Sequence, residues 1–216
     1  MLKTNLIKDK MKLKNKIFIE TSKNEDIPWR LLGGPYERGS DFPKWIKSLK
    51  DENDLIREDM EKKIALNFEH QETLYPVTPF VMLMLRKSLN ETKNPLIIES
   101  ILKLYSIIYE VTNIYKEHFK YKKQIPLFSD LLNKENLIPE IPISEEISDD
   151  EELLFIEYYE NLSEELFFSV YYYSWLVLAY SMKYDFPKLN ENIKEKLKIF
   201  NDKSTNLFLN NLLIND

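Results

Sequence analysis

Apolar residues recur along most of the chain with the spacing of amphipathic helices. The clearest case runs from Asn94 to about Phe119. There Ile97, Ile101, Leu104, Ile108, Val111 and Tyr115 step by four and three, and Ile98, Leu102, Tyr105 and Tyr109 form a second row. Glu99, Lys103, Ser106, Glu110, Asn113 and Glu117 line the opposite side. So wide an apolar face predicts a helix with neighbours on more than one side.

Start signals place further helices around it. Ser40 or Asp41 with Pro43 predicts a helix start, and Asn53 opens a run to Phe68. Thr78 followed by Pro79 predicts a cap and a first-turn proline, and Asn94-Pro95 repeats the device. Ser148 and Glu151 fit a capping box for a helix to about Asn161. Ser163 caps the next, with Glu164 and Glu165 in its first turn. Asp185 and Pro187 predict a helix to about Phe200, and a last one runs from about Lys203 to Leu213.

Two stretches lack this pattern. Residues 1–39 read as an N-terminal arm and loop: a solvated, frayed arm over 1–16, a short strand or extended lead-in over Lys16–Thr21, and a loop carrying Gly33, Gly34 and Gly39. Residues 120–148 read as a Pro-rich, acidic connection with a short helix at Leu127–Leu132. It divides an N-terminal helical half, 40–119, from a C-terminal half, 149–216, packed on the first in one domain. Oligomeric state is not legible.

Residues 166–182 carry no charge. A membrane span needs about 20 mainly apolar residues, and this run is shorter, with Ser169, Ser174, Ser181 and several mid-run tyrosines. A helix buried on most sides is the expectation, and no membrane association. The fold class expected is all-α, eight or nine helices in consecutive antiparallel pairs, as an irregular α-solenoid or helical array.

Composition narrows the chemistry. Three glycines, all between 33 and 39, disfavour sandwiches and barrels, and the absence of cysteine excludes disulfides, thiolate nucleophiles and Cys-ligated zinc. A reducing compartment, most simply a bacterial cytosol, is the expectation. The net charge of −6 argues against bulk nucleic-acid binding. His70 and His118 are the only histidines, with no HExxH or Glu-x-x-His around them. No G-x-S-x-G occurs, and the Gly-Gly loop lacks the Lys-Ser/Thr of a phosphate-binding loop. No catalytic set, cofactor or metal is therefore expected.

One stretch is more specific. His70-Gln71-Glu72-Thr73-Leu74-Tyr75-Pro76-Val77-Thr78-Pro79-Phe80 resembles the linker between repeat helices of bacterial HEAT-like repeat proteins. The resemblance has motif support over about residues 40–90. Glu72 stands where that pattern usually has a glycine. It implies a structural role for His70, Gln71, Tyr75, Thr78 and Pro79. Some members of that family look like immunity proteins encoded beside polymorphic toxins. Helical arrays of this kind also include glycosylases that remove alkylated bases, but those need a basic groove that this charge balance opposes.

The charge is unevenly placed. Glu140, Glu145, Glu146, Asp149, Asp150, Glu151 and Glu152 fall within 13 residues without a Lys or Arg, and the rest of the chain is close to neutral. Acids at a helix start suit the macrodipole. They also suit docking on a basic protein surface, with Phe155, Tyr158 and Tyr159 as interface anchors. The expected function is a non-enzymatic protein-binding module, most concretely an immunity protein that binds a cognate toxin such as a basic nuclease. A peptide-binding scaffold is the alternative.

Overall fold

The fold comes from a computed structural model and is described for residues 2–140, 149–190, 193 and 195–200. It is all-α apart from one two-residue hairpin. Seven helices are described: α1 (Leu2–Thr21), α2 (Phe42–Ser48), α3 (Asp54–Phe68), α4 (Thr78–Glu91), α5 (Pro95–Tyr115), α6 (Asp149–Glu160) and α7 (Glu164–Tyr184). The helix expected over 203–213 and the capping residue Ser148 lie outside the described residues.

The largest correction is at the N-terminus. The arm and lead-in expected over 1–21 are one helix, α1. No proline or glycine interrupts it, and its second half has a surface to bury against. Ile19 and Asn15 are buried, the Asn15 Oδ1 accepts the Phe128 N–H at 2.8 Å, and the Phe18 and Phe128 rings lie 5.0 Å apart. The lysine at every second position hides this sparse apolar face from a periodicity reading.

Asn94 and Ser163 cap α5 and α7 as expected, and Asn53 caps α3, each accepting a backbone N–H two or three residues on. Two other starts differ. The Asp41 side chain makes no capping bond on α2. Thr78 is the first residue of α4 rather than its cap. Its hydroxyl donates to the Phe68 carbonyl and accepts the Tyr75 N–H at 3.0 Å, tying the end of α3 to the start of α4. Pro79 does occupy the first turn.

Between α3 and α4 the linker is a hairpin, not a plain loop. Strand β1 (Glu69–His70) pairs antiparallel with β2 (Thr73–Leu74), Glu69 opposite Leu74 and His70 opposite Thr73. Gln71 and Glu72 turn the chain with φ of 50° and 62°. Positive φ at both central residues is what a type I′ turn requires.

Helix α7 is the centre of the structure. Trp175, Tyr171, Tyr173 and Ser174 are fully buried, and the helix packs on α4 and α5. Helix α2 packs on α3 and α4, and α3 on α5. Phe128 stacks on Tyr173 at 4.7 Å and meets Phe80 at 5.4 Å, which joins the connection after α5 to the core. The buried serines are satisfied: Ser174 donates to the Val170 carbonyl, and Ser169 donates to Glu165 and accepts the Ile125 N–H. Among the described residues no helix is long and apolar enough to cross a membrane.

The helix expected from Asp185 to Phe200 is described as two 3-10 turns, Phe186–Lys188 and Lys196–Phe200. Asp185 has another use. It is 1% exposed and takes a bidentate pair from Arg86 of α4, at 2.7 and 3.1 Å. The same guanidinium reaches the Ile19 carbonyl of α1 and lies 4.5 Å over the Tyr180 ring. One cation thus holds α1, α4 and the end of α7 together.

Candidate interaction surface

Helix α6 has two unlike sides. Leu154, Phe155, Tyr158 and Tyr159 are half-buried, and Glu152, Leu153, Ile156, Glu157 and Glu160 are exposed. The period of 3.6 sorts them: 154, 155, 158 and 159 fall on one face, 153, 156, 157 and 160 on the other.

The inner face is fixed by side chains that come from far away in the chain. The Tyr159 hydroxyl donates to the Gly34 carbonyl at 2.9 Å, and its ring meets Tyr75 edge-on at 5.8 Å. The Tyr158 hydroxyl donates to the Asn136 carbonyl at 2.8 Å. Arg38 lies 5.6 Å over the Phe155 ring and donates to the Arg30 and Pro139 carbonyls. Burial pushes the Tyr158 and Tyr159 hydroxyls far above the usual tyrosine range, so both stay neutral donors. Of the three residues expected as partner anchors, Tyr158 and Tyr159 bond the protein's own backbone and Phe155 lies under Arg38.

The glycine loop makes this contact possible. Gly33 bridges to Arg38 in antiparallel fashion, and its Cα lies so close under Tyr159 that a methyl there would stand 2.2 Å from the hydroxyl. A methyl at Gly34 would stand 2.9 Å from the Asn67 carbonyl. Tight packing, with no positive φ, explains why glycine stands at these positions. The resembling motif arrives at the same place. His70, on β1, accepts or donates a 3.0 Å bond with the exposed Tyr36 hydroxyl, and Tyr36 lies within that loop. The Tyr75 hydroxyl is raised by burial first, then by Tyr36 and Glu69. Gln71 lies in the hairpin turn, exposed. His70 and Tyr75 thus join the hairpin and the chain after it to the Gly loop and to α6.

The outer face is different in kind. Leu153 is 61% exposed and Ile156 48%, one turn apart, with Glu152, Glu157 and Glu160 around them. Beside this face runs a groove of about 720 Å³ between α6 and the segment 134–139, lined by Glu135, Leu137, Leu154, Glu157 and Asn161 among others. Leu153 and Ile156 are ordinary aliphatic residues of a helix, and nothing in their type alone marks a docking surface. The helical period already separated the two faces. The side chains of Asp149, Asp150 and Glu151 and all of Glu145 and Glu146 lie outside the described residues.

Among the described residues no three His, Asp or Glu side chains stand close enough to hold a metal ion. Compared with protein-family models, curated proteins and solved structures, the chain matches none.

Proposed function

We propose that the chain is a non-enzymatic protein-binding module, most concretely an immunity protein that neutralises a bacterial toxin in the cytosol by direct binding. The observation that carries this is the outer face of α6. Two aliphatic side chains stay in water there, ringed by carboxylates, while the neighbouring aromatics are turned inward. Large exposed apolar side chains inside a charged rim are the anatomy of a docking surface. The carboxylates select a basic partner and speed encounter; Leu153 and Ile156 supply the desolvated centre. A nuclease cleft, built to hold phosphates, has the matching charge.

The helix pairs support the HEAT-like part of this reading. Pair α2–α3 stacks on pair α4–α5, α2 against α4 and α3 against α5, and α7 lies on both α4 and α5. Neighbour-on-neighbour stacking is the arrangement of such arrays.

The test is capture of the chain's partner from its source cells, followed by reconstitution. One stoichiometric protein, harmful when expressed alone and harmless with this chain, is the expected outcome. Reversing the charge of Asp149, Asp150, Glu151 and Glu152, or placing Asp at Leu153 and Ile156, weakens that complex by at least about tenfold, one unit of roughly 1.4 kcal/mol. Several substoichiometric partners would point to a scaffold. Retained nucleic acid lost steeply with salt would point to the glycosylase-like reading.

A further inference from the structure

We propose that the chain pairs with a second copy of itself, the basic helix α1 of each protomer lying on the outer face of α6 of the other.

Among the described residues helix α1 is anchored through its second half, where Asn15, Phe18 and Ile19 meet Phe128 and Arg86. Residues 7–10, 13 and 14 are exposed and Met11 and Lys12 half-buried. Ile7, Leu13 and Ile17 are 60%, 47% and 48% exposed. Lys8 and Lys12, and Lys10 and Lys14, stand one turn apart along it. Like charges at that spacing destabilise a helix. A helical stretch this short gains little from propensity alone in water. What suits it is a covering surface that is anionic and has apolar residues of its own.

The outer face of α6 has that composition. Leu153 and Ile156 lie among Glu152, Glu157 and Glu160, and α6 holds six acids without a Lys or Arg. The two faces do not meet within one chain, since both are open to solvent. Lys8 and Lys12 stand on one side of α1 and Lys10 and Lys14 on the other, with the exposed Leu13 and Ile17 in the lysine-free sector between them, so an anionic lipid surface is the competing occupant; a chain that stays monomeric and binds anionic vesicles would overturn the pairing. A reciprocal arrangement makes the contact twice and closes as a twofold dimer. The pairing rests on these two exposed faces alone. Its consequence, that a toxin must displace α1 from α6, rests in addition on the function proposed above.

The test is the mass of the full chain, alone, by sedimentation equilibrium at about 0.05 M and about 1 M salt, across which the screening length falls to about 3 Å. The expected low-salt mass is twice 26.0 kDa. High salt weakens the dimer by at least about tenfold. Two charge-reversed proteins give the decisive arm: one with Lys8, Lys10, Lys12 and Lys14→Glu, the other with Glu152, Glu157 and Glu160→Lys. Each alone is monomeric, and an equimolar mixture restores the dimer. A monomer at every concentration, a dimer that survives in either reversed protein alone, or a mass beyond two chains would overturn the pairing. No toxin enters these measurements, so a monomeric result leaves the proposed function standing.

Discussion

The Tyr159 hydroxyl donates to the carbonyl of Gly34 across 125 residues of sequence, and the adjoining Gly33 is the reason it can get there. Any side chain at position 33 would occupy the space of the tyrosine ring's tip. Gly33→Ala is expected to destabilise the protein by about 1–3 kcal/mol, the range of overpacking in a filled site. Tyr159→Phe in the Gly33→Ala background recovers part of that loss, because the nearest clash is with the hydroxyl oxygen. Urea denaturation of the two single variants and the double variant measures the coupling. Additive losses would show that position 33 and Tyr159 do not compete for space.

The hairpin turn offers the opposite case, a position where glycine is missing. Glu72 has a φ of 62°, a region that costs a residue with a Cβ roughly 1 kcal/mol or more. Its side chain is exposed, so little packing is lost with it. Glu72→Gly is therefore expected to stabilise by about 0.5–1 kcal/mol, seen as a higher urea midpoint at unchanged slope. A lower midpoint would mean that the Glu72 side chain holds the turn.

Helix starts at Asn53, Asn94 and Ser163 were legible because a cap is a local device, readable from a few neighbouring residues. So was the burial of α7, whose uncharged run leaves no polar face. The helicity of α1 was not legible, because what fixes it is a long-range contact, Asn15 and Phe18 against Phe128. Thr78 carries the local signature of a cap, yet it bonds the Phe68 carbonyl ten residues back. Asp185 likewise reads as a helix start, and its partner Arg86 lies 99 residues away. At the candidate surface the acids were visible and the orientation of α6 was not. Tyr158 and Tyr159 turn inward because two backbone carbonyls, at Asn136 and Gly34, await them.

The Arg86–Asp185 pair is expected to behave as a buried ion pair does when one partner is neutralised. Asp185→Asn leaves the Arg86 cation, 12% exposed, without its counter-charge. The expected loss is about 3–5 kcal/mol. Replacing both, Arg86→Met with Asp185→Leu, removes the uncompensated charge and costs less than Asp185→Asn alone. Equal stability of the Asp185→Asn variant and the natural chain in a denaturation series would sink this account.

Buried tyrosines tie stability to alkaline pH. Burial raises Tyr172 to about 12 and Tyr158, Tyr159 and Tyr173 further, against an ordinary value of 10.0. Below pH 10 folded and unfolded chains both hold these protons, and the full stability is present. Above it the unfolded chain releases them first, so stability falls as pH rises through the raised values. Phenolate absorbance from these residues is expected to appear together with the loss of helical circular dichroism. Complete tyrosine ionisation with the dichroism unchanged would contradict their burial.

The two faces of α6 predict opposite responses to substitution three residues apart, at Ile156 and Tyr159. Leu153→Asp and Ile156→Asp fall on side chains already in water, so each is expected to change stability by no more than about 0.5 kcal/mol. Tyr159→Ala instead removes a ring packed on Tyr75 and a hydroxyl bonded to Gly34. Its expected cost is about 3–5 kcal/mol, as for a large aromatic lost from a core. Under the proposed function, binding of the partner follows the reverse order. The outer-face variants lose affinity at native stability. Tyr159→Phe, which keeps the ring, retains affinity while giving up about 1 kcal/mol of stability with the bond to Gly34. Thermal unfolding and affinity measured on the same protein samples separate the two faces. If Ile156→Asp unfolds the protein while Tyr159→Ala is tolerated, the helix is turned the other way and its inner aromatics are the docking surface.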